Sequence, residues 1–380
     1  MIMDEGKSIK NKLLVAMIIF LLIIIAGSVL LYFISKKQSS LEGADSSVRL
    51  SAQSGFSCEF AEAQKFYPFG DGVLKVTNDR VAYLTLSGNE AYSYSVSYTN
   101  PFCVFGEDRV LVGDLDGYAF SMYDIEHQIY AKSTSDKVKG ATVSKDGFAS
   151  VILDSDDAYG QILIATPEGD YVSNKWISRD SGYPVSVKFN DDSSILAITT
   201  LNTNGAVLEP FVKLLSISMD NKKYVAADYA VFSTDKNDIL SSIVYCGDRF
   251  LIFGSDSAYT IVGDSFSALN VAYASINYVF GVDDNLFIIY SDGVGQVNKL
   301  AVIDSKNNIV YDSLLGTTVN AFNVVKGKCV ISVDRRVFVF GSNGDVISDI
   351  SVDEDILRVG FVGNDKITVV STSGVHTYTY

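Results

Sequence analysis

The chain has 380 residues, 48% of them apolar, and 45 acidic against 30 basic side chains give it a formal net charge of −15. Such apolar content excludes a disordered chain and supports a large core. The acidic balance repels phosphate backbones and so excludes nucleic acid as a natural partner.

Residues 1–12 carry Lys7, Lys10 and Lys12 and read as a short cytoplasmic tail. Residues 13–34 follow as an uncharged, almost wholly apolar stretch. At about 1.5 Å per residue it spans roughly 33 Å, enough for a bilayer core. A cleaved signal peptide competes with this reading, but its apolar region ends at about 7–15 residues. No small-residue cleavage site follows; Ser35, Lys36 and Lys37 look like a membrane exit. The basic residues favour a cytoplasmic N-terminus by one lysine, which places everything after the anchor outside the cytoplasm. Gly27 and Ser28 form no GxxxG pair, so helix dimerisation has no support. Residues 35–50 are polar and read as a stalk, and residues 51–380 as one extracytoplasmic domain.

Within that domain an apolar run recurs at 73–76, 110–112, 148–153, 195–198, 250–253, 286–290, 329–333 and 367–370. The runs begin about 36 to 55 residues apart, the spacing of four-stranded propeller blades. The second unit shows the plan, with strands at 102–105, 109–113, 118–123 and 128–131 around the turn at Asp114, Leu115, Asp116 and Gly117. The sixth repeats it at 278–281, 286–290, 300–303 and 309–312. Asp-Gly and Asn-Gly pairs supply the positive φ that tight hairpins need, and only 5 prolines interrupt the ladders. Sheets apolar on both faces cannot stand alone, and packing them around a ring covers both.

The last unit, 356–380, holds three strands and then the chain stops. Residues 56–60, just before the first full unit, are placed to supply the fourth and close the ring. The fold expected is therefore all-β, an eight-bladed β-propeller of four-stranded antiparallel blades after one transmembrane helix. Seven blades is the alternative, because the fourth unit, near 193–231, has blurred boundaries.

Anchor and ring together resemble an uncharacterised, single-pass membrane-anchored family of quinoprotein-like propellers from Gram-positive bacteria. The resemblance covers nearly the whole chain and rests on architecture. Quinoprotein blades repeat a tryptophan-docking element, whereas this chain has one tryptophan, Trp176. The Gly-His and Trp-Asp dipeptides of WD40 blades are also missing. The resemblance therefore implies no quinone, and no cofactor is expected.

Candidate chemistry is sparse. Cys58, Cys103, Cys246 and Cys329 form no CxxC pair and read as buried thiols, ahead of a disulfide between distant blades. His127 and His376, the only histidines, read as ordinary strand or turn residues. Ser178, Arg179, Asp180, Ser181 and Gly182 match the core of an Asp-box turn, but Val185 stands where its aromatic belongs. Asp114 and Asp116, and Asp154, Asp156 and Asp157, read as solvated turn residues; a calcium site is weaker because Asp154 to Gly160 lacks calcium-loop spacing. Tyr92, Tyr94 and Tyr98, and Tyr378 and Tyr380, read as packing between blades ahead of a stacking surface.

No catalytic, cofactor-binding or metal-ligating residue is therefore assigned. The function expected is a non-catalytic scaffold at the cell membrane, binding a protein or cell-envelope ligand through its loops. The rivals are an extracytoplasmic hydrolase or lyase with its site over the channel, and a signalling scaffold facing the cytoplasm.

Overall fold

A computed structural model describes residue 52, residues 54–58 and residues 64–380, apart from 173–175, 180–181, 235–236, 256, 271–272, 274 and 294. The tail, membrane segment and stalk expected at 1–50 lie outside the described residues. No helix among the described residues is long and apolar enough to cross a membrane.

Among the described residues, thirty-two strands form eight antiparallel sheets of four. Seven sheets use four consecutive strands, giving blades 1 to 7 at 64–95, 101–133, 138–178, 183–233, 242–268, 275–316 and 319–351. Blade 8 is composite: its first three strands span 356–379, and its outer strand is Ser54–Ser57 from the other end of the domain. The fold is thus an eight-bladed propeller, and the seven-bladed alternative falls.

Two details differ from the sequence reading. The closing strand runs Ser54–Ser57, two residues ahead of the expected 56–60, and 59–63 lie outside the described residues. It carries one large apolar residue, Phe56, so closure rests on backbone pairing with Gly374–Thr379 rather than on a hydrophobic pattern. Blade 4 looked blurred because its third and fourth strands, Glu209–Asp220 and Lys223–Ser233, are 12 and 11 residues long. Asn221 and Lys222 between them both take positive φ, 48° and 65°, as a tight hairpin turn requires.

The first strand of each blade is innermost. Ile356–Val362 of blade 8 lies against Val319–Val325 of blade 7 and against Gln64–Phe69 of blade 1. The approach to blade 1 is close: a Cβ on Gly360 would sit 2.6 Å from Cβ of Pro68, so a larger residue there would force the two strands apart. Second strands, such as Val110–Asp114 and Ala149–Leu153, are buried throughout. They read as continuous apolar runs because neighbouring blades cover both faces.

Each gap between blades holds its own hydrophobic layer. Leu74, Val81 and Tyr83 of blade 1 meet Val110, Val112 and Tyr123 of blade 2. Phe280 of blade 6 stacks on Phe322 of blade 7 with ring centroids 4.4 Å apart. Phe66, Val73 and Ala82 of blade 1 meet Val370 and Val375 of blade 8, with Phe56 at the edge. A fully buried Leu or Val in these layers, such as Leu74 or Val110, contributes about 1.5–3 kcal/mol.

Chain direction gives the ring two unlike ends. One, termed the upper rim, carries the connections between blades and the turns between second and third strands. The lower rim carries the remaining hairpins, and the closing strand begins there, opposite the C-terminal strand.

Candidate functional site

The upper rim is built by a recurring irregularity. On five of the eight inner strands the register slips by one residue near the upper end, leaving Lys139, Val185, Asn277, Asn320 and Leu357 without a cross-strand partner. A bulge breaks the alternation of side chains and turns the extra residue aside. Three of these residues then reach the turn region between second and third strands. Lys139 donates to Asp116 at 2.7 Å and lies 3.3 Å from Asp154. The Asn277 amide donates to Asn298 Oδ1 at 2.6 Å, and the Asn320 amide to the Asp334 carbonyl at 2.8 Å.

Carboxylates tie the same two parts together in several blades. Asp114, 5% exposed, accepts from the backbone amides of Thr99 and Asn100 at 2.8 and 2.7 Å. Asp334 accepts from the Thr317 hydroxyl at 2.8 Å and from the amides of Thr317 and Thr318 at 3.2 and 3.0 Å. In blades 5 and 8 the polarity is reversed, with the acid on the connection and hydroxyls on the turn. Asp238 accepts from Ser255 and Ser257 at 2.7 and 2.6 Å, and Glu354 from Ser371 and Ser373. Those two hydroxyls hold the Glu354 carboxyl below its ordinary range. These are latches. They pin the rim and leave its acids with internal tasks.

Between blades 7 and 8 the rim opens into a cleft of about 540 Å³, lined by Thr318, Asn320, Asp334, Arg335, Arg336, Asp355 and Ile356. Its charges are fixed in place. Arg335 Nε donates to Asp355 at 2.8 Å across the two blades, with both side chains exposed. Arg336 grips the mostly buried carboxylate of Asp349 with two nitrogens and lies 4.7 Å over the Phe338 ring. Arg335 and Asp355 therefore face solvent in a cleft that Ile356 also lines, an arrangement suited to a polar chain or headgroup.

The residues singled out in the sequence fall elsewhere. All four cysteines are free thiols: Cys246 and Cys329 are buried, Cys58 and Cys103 half-buried. Burial pushes the Cys103 thiol up to about 12 and the Cys246 thiol up to about 11. His127 lies 3.2 Å from Asp124 in a hairpin, and His376 lies 3.8 Å from Glu354 at its latch. Asp180 and Ser181 of the Asp-box match lie outside the described residues. Asp114 is not a solvated turn residue but a buried latch, whereas Asp116 and Asp154 share Lys139. Among the described residues no group of three His, Cys, Asp or Glu side chains is placed to hold a metal ion.

The tyrosines join blades. Tyr92 stacks on Tyr83 and on Tyr123 of the next blade, and its hydroxyl donates to the Asp124 carbonyl at 2.6 Å. The Tyr98 hydroxyl lies 3.0 Å from Ser121. Tyr378 is buried in the layer between blades 7 and 8. The bulged residues and the Arg335–Asp355 pair escaped the sequence reading. An extra residue in a strand leaves no compositional mark, and only the charged triplet Asp334, Arg335 and Arg336 after an apolar run hinted at a rim.

A protein-family model described as a family of unknown function, DUF5711, matches residues 48–379. No curated protein sequence matches the chain. Among solved structures, the Dos1 propeller superposes with a TM-score of 0.56 at 13% identity, over 88% of this chain and 97% of that one. Apo AztD from Citrobacter koseri gives 0.53 at 12%, over 82% and 89%. BamB from Moraxella catarrhalis gives 0.52 at 10%, over 87% and 100%. Identities this low carry the fold alone.

Proposed function

We propose, for a chain that belongs to the DUF5711 family of unknown function, that its propeller is a non-catalytic platform binding a protein or cell-envelope ligand on the upper rim. Residues 13–34 hold it at the outer face of the cytoplasmic membrane. The observation that carries this reading is the cleft between blades 7 and 8, an open recess with an exposed Arg335–Asp355 pair beside Ile356. Around it, carboxylates and hydroxyls serve as latches instead of converging on one point. A rigid ring with varied loops suits recognition, and pinned loops lower the ordering cost of binding.

Photo-crosslinking in native membranes tests the platform, with the probe at Asn320 in one variant and at Asp345 on the lower rim in another. A specific adduct from Asn320 and none from Asp345 is expected; equal recovery from both, or none from either, counts against it. A C-terminal topology reporter tests the anchor separately, and a signal from the cytoplasmic side overturns the orientation.

A further inference from the structure

The channel wall where the ring closes carries cations that no acid neutralises. Other cations on this acidic chain do find a carboxylate, as Arg80 finds Glu90, Lys145 finds Asp191, Arg335 finds Asp355 and Arg336 finds Asp349. Lys65 on the inner strand of blade 1 and Arg358 on that of blade 8 have none within 4 Å among the described residues. Lys65 donates one hydrogen bond, to the Pro101 carbonyl at 3.2 Å, and Arg358 donates one to the Leu357 carbonyl at 2.8 Å. The Arg358 guanidinium lies 5.0 Å over the Tyr67 ring, and both Arg358 and the Cys103 thiol act on the Tyr67 hydroxyl. Tyr67 and Cys103 pack against the same layer between blades 1 and 2, and both cations act electrostatically on the Cys103 sulfur. All four residues are half-buried on inner strands, with part of their surface open.

A guanidinium has five N–H donors and an ammonium three, so most of the hydrogen-bonding capacity at this spot is unused. The Tyr67 ring limits where the guanidinium can lie, and a guanidinium's planar fork matches the two oxygens of a carboxylate or phosphate. Tyr67 and Cys103 add neutral donors: burial pushes each up to about 12, so both stay protonated near neutral pH. On a chain of net charge −15 the surface at large repels anions. A surplus of donors between low-dielectric walls is what can overcome that repulsion locally.

We propose that this part of the channel, between blades 8, 1 and 2, is an oxyanion site, with Arg358 and Lys65 as charged donors and Tyr67 and Cys103 as neutral ones. Its ligand carries a carboxylate or a phosphate group. The site is separate from the rim cleft and stands whether or not that cleft binds a partner.

Equilibrium dialysis of the full-length chain against labelled inorganic phosphate, and in a second arm against labelled citrate, at about 0.15 M salt to screen diffuse attraction, tests the proposal. Saturable binding is expected in at least one arm, and the arm that binds identifies the group. Arg358→Gln and Lys65→Gln should each weaken it at least about tenfold, while Lys145→Gln on the lower rim leaves it unchanged. Lys65→Gln removes a side chain with a single hydrogen bond, so the test survives if Arg358→Gln fails to fold. No saturable binding in either arm, or binding that Lys65→Gln leaves intact, overturns the site.

Discussion

Phe56 pairs with Val375 across the closing blade, so residues more than 300 positions apart hold the ring shut. The strand is only 4 residues long but its pairing is cooperative in effect, because blade 8 touches both of its neighbours. Deleting 54–57 leaves the third strand of blade 8 as an open edge and uncovers Phe66 beside Phe56, whose rings are 6.3 Å apart. A milder probe is Gly55→Val. A Cβ at Gly55 would stand 2.1 Å from the Val375 carbonyl oxygen, so the pairing must give way. A loss of about 1–3 kcal/mol in urea unfolding is expected, with early proteolytic release of the N-terminal segment. A Gly55→Val protein as stable and protease-resistant as the parent would show that the ring does not depend on this strand.

The latches make a second prediction. Asp114→Ala strands two backbone amides that now donate to a buried carboxylate, at an expected cost of about 2–3 kcal/mol. Asp334→Ala removes three acceptor contacts and also places alanine at φ +53°, so it should cost a comparable amount. Asp334→Asn should lose less, because asparagine tolerates that conformation and keeps one oxygen. Asp116→Asn, on the exposed partner of Lys139, should leave the urea midpoint close to that of the parent. Equal urea midpoints for Asp114→Ala and Asp116→Asn would refute the distinction.

How much of this was legible in the sequence depends on what each residue does. The apolar second strands were plain because Leu111, Val151 and Ile288 are covered on both sides and leave an uninterrupted run. The closing strand was harder, since Ser54, Gly55 and Ser57 contribute backbone and little else. Bulges at Asn320 and Leu357 were invisible, because an inserted residue looks like an ordinary strand residue until its partner is known. Asp114 was misread for a related reason. An aspartate before a turn looks solvated, and only the return of Thr99 and Asn100 from the preceding connection buries it. The channel cations belong to the same class, since Lys65 and Arg358 lie far apart in sequence and meet only once the ring closes.

Acid stability provides a third prediction. Ser371 and Ser373 donate to Glu354 and hold its carboxyl below the ordinary 4.5. A group whose folded value is depressed contributes stability above its unfolded value and loses it as pH falls through the folded one. The Glu354 latch should therefore be at full strength above about pH 5 and weaken below about 4.5. Its partial exposure keeps the effect small. Unfolding free energy followed from pH 7 to pH 3 should fall less steeply for Glu354→Gln than for the parent, with the curves converging at the acid end. Parallel curves over the whole range would remove Glu354 from the account.

The Cys103 thiol allows a last prediction, which weighs two opposing effects. Lys65 and Arg358 favour the thiolate, whereas burial favours the thiol, and burial wins, pushing the group up to about 12 against an ordinary 9. Because the thiolate is the nucleophile, alkylation by iodoacetamide at pH 8 should be slower in the native ring than in the urea-unfolded chain. The difference should be on the order of 10²–10³-fold. Peptide mapping by mass spectrometry separates this site from Cys58, whose thiol is raised by a weaker burial and should react first. Arg358→Gln withdraws one of the two favouring charges and should slow Cys103 further, while Lys145→Gln should not. A native rate at Cys103 close to that of the unfolded chain would mean that the sulfur stands in open solvent. It would then have no place beside Tyr67 in the layer between blades 1 and 2.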